Sequence, residues 1–191
     1  MAERKDMKRL PKTLLPALLI STLLTGTAAA STRYVNSKNG LMVRNKPDEE
    51  AETITILSYG TKVQLLDDWK HGGWYRIKYE DGDAFISADY TQKTDPLDDM
   101  TYMGTWRITA YAYTGSPCAN GNYPEAGYTI ACNSLPFGTE VYIEGVGFRT
   151  VEDRGPEWLG SEWLDIYMCD TNTCVQWGDQ YREVYIVEEE P

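Results

Sequence analysis

The sequence predicts an all-β protein made of two small β-barrels in tandem. Apolar and polar residues alternate, as they do along half-buried strands, in 53–57, 74–79 and 105–113. Glycine-containing pairs such as Gly72-Gly73 and Asp81-Gly82 interrupt these runs with hairpin chemistry. A length of 191 residues leaves room for one medium domain or two small ones, and the spacing of the runs favours two.

The first thirty residues have the pattern of a secretory signal peptide. Basic residues precede an apolar segment at 14–24, and Ala28-Ala29-Ala30 supplies a small-residue cleavage site before Ser31. The apolar segment is short for a membrane span, which takes roughly 20 residues. An uncleaved N-terminal anchor is the alternative. We therefore predict a protein that is secreted or held in the cell wall, without stable membrane insertion after cleavage.

The acidic composition excludes several classes of partner. The formal net charge is −11, with 29 Asp and Glu against 18 Lys and Arg. Nucleic acid and anionic lipid are poor partners for such a surface, because attraction to phosphate dominates their binding. We expect a monomer.

The cysteines and the lone histidine limit the chemistry. In an exported protein, four cysteines predict two disulfides, and proximity in sequence favours Cys118–Cys132 with Cys169–Cys174 among the three pairings. A four-cysteine zinc site is the competing interpretation, but the spacing lacks a C-x-x-C pair. With His71 as the one histidine, catalytic sets built on histidine are disfavoured and a multi-histidine metal site is excluded. We predict no metal and no organic cofactor, and carboxylates as the reactive groups.

Residues 31–93 predict the first barrel, of five or more short strands. They also resemble a bacterial SH3 domain. Such domains commonly bind the cell wall, so the resemblance implies that this domain targets the protein to peptidoglycan, and the lack of a lipid anchor suits a Gram-positive cell. The matching segments are GLMVRNKP (40–47), LSYGTKV (57–63), GWYRI (73–77) and AFISADY (84–90).

The segment 94–102 is predicted to be a linker, because it is polar, contains Pro96 and has no periodicity. Residues 103–188 then predict a second barrel of about six strands. Its expected features are a long loop over 114–127, a short helix over 171–177 capped by Asp170, and a hairpin with Gly145 and Gly147 near its tip.

The second region is similar to the 3D (Asp-Asp-Asp) domain family, related to the barrels of rare lipoprotein A and membrane-bound lytic transglycosylase A. The resemblance implies a six-stranded double-psi β-barrel after the SH3-like one, and cleavage of peptidoglycan glycan strands. The segments that carry it are ITAY (108–111), IACN (130–133), LPFGT (135–139), EDRG (152–155), LDIY (164–167) and VQWG (175–178).

Two aspartates are the candidate catalytic residues of this barrel. Asp153 and Asp165 match the second and third aspartates of the family, whereas Asn133 stands near the place of the first. A carboxylic acid that stays protonated near neutral pH can protonate a glycosidic oxygen. We predict Asp153 as this acid and later base, and Asp165 as a carboxylate that orients it or raises its pKa. The expected substrate-binding residues are Asn133, Tyr111, Arg154, Trp158, Trp163 and Tyr167.

Two alternatives to this lytic transglycosylase or muramidase activity stay open. The barrel could grip polysaccharide without cutting it, as the related expansin barrels do, and Asn133 favours this alternative because an amide cannot exchange a proton. The two modules could also bind other proteins.

Overall fold

The computed structural model describes residues 31–187 and has the all-β architecture that the sequence predicts. The predicted signal peptide, residues 1–30, and the last residue of the predicted second barrel lie outside the described residues. Within 31–187, no helix is both long and apolar enough to cross a membrane. The strands are β1 (Thr32–Val35), β2 (Leu41–Arg44), β3 (Thr53–Leu57), β4 (Lys62–Gln64), β5 (Trp74–Tyr79), β6 (Gly82–Ser87), β7 (Thr91–Gln92), β8 (Met100–Tyr111), β9 (Thr129–Ala131), β10 (Glu140–Ile143), β11 (Gly147–Asp153), β12 (Trp163–Tyr167) and β13 (Gln180–Val187).

The first barrel consists of two antiparallel sheets around one core. One sheet has the order β4-β1-β7 and the other the order β3-β2-β6-β5. Because side chains alternate along a strand, each strand gives every second residue to the interior. Val35, Val43, Leu65 and Ile86 are completely buried there.

The segment at 94–102, predicted as a linker, contains a 3-10 helix and the start of a strand. A 3-10 helix covers Pro96–Asp99, and the Asp95 side chain caps it by accepting a hydrogen bond from the Leu97 backbone N–H at 3.0 Å. Leu97 is buried against the second barrel, and β8 already begins at Met100. A cap, a proline at the first helical turn and one buried leucine give this polar segment a fixed path.

The second barrel is closed, with the strand order β10-β11-β9-β12-β8-β13. Two of its strand pairs are parallel, β9 with β11 and β8 with β12, and the other pairs are antiparallel. The predicted hairpin joins β10 to β11, with Gly145 and Gly147 at φ 75° and 100°, where a side chain would be strained. The predicted helix is α1 (Thr171–Trp177), and Asp170 caps it by accepting from the Thr173 N–H.

An aromatic cluster joins the two barrels. The Tyr59 ring of the first barrel lies 4.9 Å from the Phe148 ring and 5.5 Å from the Tyr142 ring of the second. The Tyr142 hydroxyl donates a 2.9 Å hydrogen bond to the Tyr59 carbonyl, and Tyr185 is buried behind it. Packed aromatic rings with a satisfied hydroxyl hold the barrels against each other.

Candidate functional site

Strand register brings the two predicted catalytic aspartates to one place on the second barrel. Asp153 on β11 and Asp165 on β12 both lie opposite Ala131 of β9, the strand between them. Leu164 and Ile166, which flank Asp165 on β12, point into the barrel core, so Asp165 faces outward. Two strand spacings, about 10 Å, separate the two backbones. The outer wall of the barrel therefore carries a carboxylate pair on either side of a small residue.

Asp153 is held by three hydrogen-bond donors. Its Oδ1 accepts from the Ala119 N–H at 2.9 Å and from the Arg154 N–H at 2.8 Å. Its Oδ2 accepts from the Tyr111 hydroxyl at 3.1 Å. These three donors hold the Asp153 carboxyl group in one position. Burial and the charge of Asp153 raise the pKa of Tyr111 far above its ordinary value, so Tyr111 stays a donor.

Asp165 has the opposite environment. It is half-buried, and the one donor bonded to it is the Thr109 hydroxyl, 2.7 Å from Oδ1. Burial raises the pKa of Asp165 and the nearby charge of Asp153 raises it further, while the hydrogen bond from Thr109 opposes both. The net effect keeps a proton on Asp165 to a higher pH than on an ordinary aspartate.

Aromatic side chains surround the pair. The rings of Tyr111 and Tyr167 meet at 5.5 Å, and those of Trp158 and Trp163 at 5.4 Å. Trp163 donates its indole N–H to the Thr109 hydroxyl at 2.8 Å, which links this tryptophan to Asp165 through one side chain. Trp158 is 71% exposed, so its ring is open to a ligand. The structure thus brings together Asp153, Asp165, Tyr111, Tyr167, Trp158 and Trp163.

Asn133 and Arg154 form hydrogen bonds to the backbone, and their role in substrate binding stays a prediction. The Asn133 amide donates to the Pro156 and Leu159 carbonyls, and its oxygen accepts from the Gly155 N–H at 3.0 Å. Arg154 donates to the Cys132 carbonyl and stacks on the Phe137 ring at 3.7 Å. Asn133 thus holds the 155–159 loop, and Arg154 ties the start of that loop to Cys132.

Sequence reasoning missed two residues that shape the site, Glu152 and Thr109. Glu152 is buried and accepts from Thr129 at 2.6 Å and Asn122 at 2.9 Å, which fixes the loop that carries the Ala119 N–H. Burial alone would raise the pKa of Glu152, but these hydrogen bonds and one from Asn120 lower it. Alternation along β8 places Thr109 on the same face as Tyr111, and that signal could have identified Thr109 in advance.

The two predicted disulfides are not formed, and all four cysteines are free thiols. Cys132 points into the barrel core, where its sulfur lies 3.5 Å from the Ser134 hydroxyl. Cys118 is buried outside that core cluster, on the loop beside Asp153. It therefore lies outside the core in which the Cys132 sulfur is packed. Cys169 precedes the capping residue of α1 and is exposed, whereas Cys174 lies within the helix. Proximity in sequence therefore did not predict proximity of the sulfur atoms.

The arrangement can perform acid–base chemistry. The pKa of Asp165 is raised, so this carboxyl group can hold a proton for delivery, and Asp153 lies beside it as a second carboxyl group. No ion pair joins either carboxylate to a Lys, Arg or His side chain within 31–187.

Comparison with known proteins identifies the first barrel. The model of the bacterial SH3 domain family matches residues 39–92, which contain strands β2 to β7. No curated protein and no solved structure matches the chain. The chain thus joins a closed six-stranded barrel to a region, residues 39–92, that is a bacterial SH3 domain.

Proposed function

We propose that this protein is exported to the cell wall, that its SH3 domain binds peptidoglycan, and that its second barrel cleaves the glycan strands. The observation that carries the proposal is the placement of Asp153 and Asp165 on either side of Ala131 without a bonded cation. Bacterial SH3 domains commonly bind the cell wall, and residues 39–92 are such a domain. The signal pattern of residues 1–30 supports export. The closed six-stranded barrel, with its two parallel pairs, supports the resemblance to the 3D family.

The environments of the two carboxylates favour Asp165 as the general acid, in place of the Asp153 predicted from the sequence. Asp153 accepts three hydrogen bonds, which fix the position of its carboxyl group. Asp165 accepts one, and its burial raises its pKa. A protonated donor next to a fixed negative charge suits a reaction that passes through a positively charged sugar.

In the proposed reaction, the Asp165 carboxyl group gives its proton to the glycosidic oxygen while the bond from that oxygen to C1 breaks. The Asp153 carboxylate stabilises the positive charge that develops at C1. A hydroxyl group then bonds to C1 and returns its proton to Asp165. If this hydroxyl is the C6 hydroxyl of the same sugar, an anhydro ring forms, and if it is water, a reducing end forms.

The exposed ring of Trp158, packed against Trp163, is the expected platform for a sugar ring next to the acid. The hydrogen bonds from Trp163 to Thr109 and from Thr109 to Asp165 fix the direction of the Asp165 carboxyl group relative to that platform.

Wall binding without cleavage is the second candidate function. It is favoured by Asn133, which stands near the first aspartate of the 3D family and uses its whole amide to hold the 155–159 backbone. A barrel that lacks the first of the three family aspartates would still present the exposed Trp158 ring to a polysaccharide.

The test is mass spectrometry of the soluble fragments that the chain from Ser31 releases from purified peptidoglycan. We expect Asp165→Asn to slow release by about 10²–10⁴-fold, since it removes a general acid. Glu157→Gln is the matched control, because Glu157 is an exposed acid on the same loop as Trp158. Thermal unfolding of each variant confirms that the fold is kept.

Full activity in Asp165→Asn would contradict its assignment as the acid. If the wild-type chain releases nothing and yet sediments with the wall, the protein is a binding protein and the cleavage proposal is wrong.

A further inference from the structure

A second concave surface lies between the two barrels, and we call it the interdomain groove. It has a volume of about 450 Å³. The first barrel lines it with Lys38, Ile56 and Tyr59, and the second with Tyr128, Phe148 and Arg149. A volume of this size accommodates a small ligand. The groove does not include Asp153 or Asp165, so it is separate from the proposed catalytic site.

Arg149 is a partly buried cation, and no ion pair to it is found within 31–187. Its Nε atom is buried and has no hydrogen-bond partner, and its Nη1 donates to the Phe148 carbonyl at 2.6 Å. Within 31–187 the one other buried side-chain nitrogen or oxygen without a partner is His71 Nε2, which lies 3.4 Å from an Asp67 oxygen. No carboxylate of the described residues pairs with Arg149.

This arrangement is costly for the free protein. A partly buried guanidinium loses part of its hydration, and the buried Nε atom of Arg149 has no acceptor in its place. Burial lowers the pKa of Arg149, the direction expected when nothing stabilises its charge. A bound anion would supply the missing acceptors, and an arginine can hold a carboxylate through two parallel hydrogen bonds.

The other charges of the groove favour a ligand with one negative charge. Lys38 forms an ion pair with Glu140, and its ammonium lies 4.6 Å from the Phe148 ring centre. These two charges cancel, which leaves the single positive charge of Arg149. A polyanion would meet Glu140 and a chain of net charge −11, and it would be repelled.

The walls of the groove fit a short peptide that carries the single negative charge. The rings of Tyr59 and Phe148 meet at 4.9 Å, and Ile56 adds aliphatic surface to them. Gly127 also lines the groove, and nothing lies within 4 Å of the place where its side chain would begin, so the backbone there is open to a ligand amide.

We infer that the interdomain groove binds the terminal carboxylate of a short, otherwise uncharged peptide, with Arg149 as the anchor. Arg149 and Asp153 belong to the same strand, β11, and four residues of strand separate them by about 13 Å. A ligand in the groove would thus lie on the same barrel as the carboxylate pair but outside its reach.

The test is isothermal titration calorimetry of the chain from Ser31 with N-acetyl-dialanine, with the C-terminal amide of the same peptide, and with inorganic phosphate. We expect saturable binding of the acid and at least about tenfold weaker binding of the amide, because the amide cannot form a charge-assisted bidentate contact. Phosphate should bind less tightly than the peptide acid, since it does not use the aromatic walls.

Two variants separate a binding role for Arg149 from a structural one. Arg149→Met should lower the affinity for the peptide acid by at least about tenfold and leave the thermal midpoint unchanged or higher, because it removes an uncompensated buried charge. Arg182→Met is the matched control: Arg182 lies beside the same hairpin, donates to Gln180 and does not line the groove.

Equal affinity for the acid and the amide would overturn the inference, and so would equal affinity for phosphate. Unchanged binding in Arg149→Met would exclude Arg149 as the anchor. A fall of more than about 5 °C in the midpoint of that variant would mean that Arg149 is structural.

Discussion

Two aspartates, Asp67 in the first barrel and Asp165 in the second, have opposite environments. In the first barrel, Asp67 accepts two hydrogen bonds from Arg76, at 2.8 and 3.1 Å, and Arg76 also contacts Asp83. Burial alone would raise the pKa of Asp67, but the bonds from Arg76 and from the Trp69 N–H lower it. In the second barrel, Asp165 has a neighbouring carboxylate in place of a cation, and its pKa is raised.

The difference separates acids that serve the fold from acids that are available for chemistry. A carboxylate beside arginine contributes to stability in its ionised form and has little tendency to carry a proton. A partly buried carboxylate beside another carboxylate reduces stability at neutral pH, and proteins tolerate such a group mainly where they use it. The same amino acid therefore has different roles in the two halves of the chain.

The largest effect on stability should come from Glu152 in the second barrel, whose pKa is lowered like that of Asp67. Glu152→Ala leaves Thr129, Asn120 and Asn122 without their acceptor, so we expect unfolding by urea to show a loss of about 3 kcal/mol. The lowered pKa of Glu152 means that its contribution is present above the ordinary Glu pKa and disappears as the pH falls through the lowered value.

Glu157→Ala is the control for that change, since Glu157 is exposed and its removal should alter stability by less than about 0.5 kcal/mol. Equal losses for Glu152→Ala and Glu157→Ala would show that hydrogen bonds to a buried acid do not hold this loop.

Smaller changes in stability, of opposite sign, are expected when Asp67 and Asp165 are replaced. At neutral pH, Asp165→Asn should stabilise the protein by about 1 kcal/mol, because it removes a poorly compensated charge. The gain should shrink as the pH falls through the raised pKa of Asp165, where the wild-type group becomes neutral. Asp67→Asn should destabilise the protein, and its loss should vanish as the pH falls through the lowered pKa of Asp67.

Thermal unfolding of both variants between acid and neutral pH measures these differences. Destabilisation by Asp165→Asn at neutral pH would remove the distinction between the two kinds of acid.

The smallest effect concerns the contact between the barrels. Tyr142→Phe removes the hydrogen bond to the Tyr59 carbonyl and keeps the ring contacts, so a loss of about 1 kcal/mol is expected. Tyr181→Phe, at an exposed position, is the control. Calorimetry should show one unfolding transition in the wild type. Two separate transitions would mean that the aromatic cluster does not couple the barrels.

Much of the fold could be predicted from the sequence, because alternation and glycine-rich turns are local signals. They predicted the strands at 53–57, at 74–79 and within 105–113, the hairpin at Gly145 and Gly147, and α1 with its cap at Asp170. The 3-10 helix at Pro96–Asp99 was not predicted, because a single turn has no periodicity. It depends on the burial of Leu97 against the second barrel.

The site was predictable in its acids but not in their environments. The motifs pointed to Asp153 and Asp165, but only the pairing of both with Ala131 shows that they are neighbours. Asn133 and Arg154 were expected to meet substrate, and their hydrogen bonds to the backbone depend on a loop path that no local pattern encodes. The cysteine pairing failed for the same reason, since sequence proximity does not indicate on which side of a strand a sulfur lies.

The most direct test of the central claim, that Asp165 is the acid that keeps its proton, is a ¹³C NMR titration of the side-chain carboxyl groups. We predict that Asp165 titrates above the ordinary Asp range, that Asp67 titrates below it, and that Asp153→Asn lowers the pKa of Asp165 by removing a neighbouring charge. A pKa of Asp165 at or below that of Asp67 would contradict the claim.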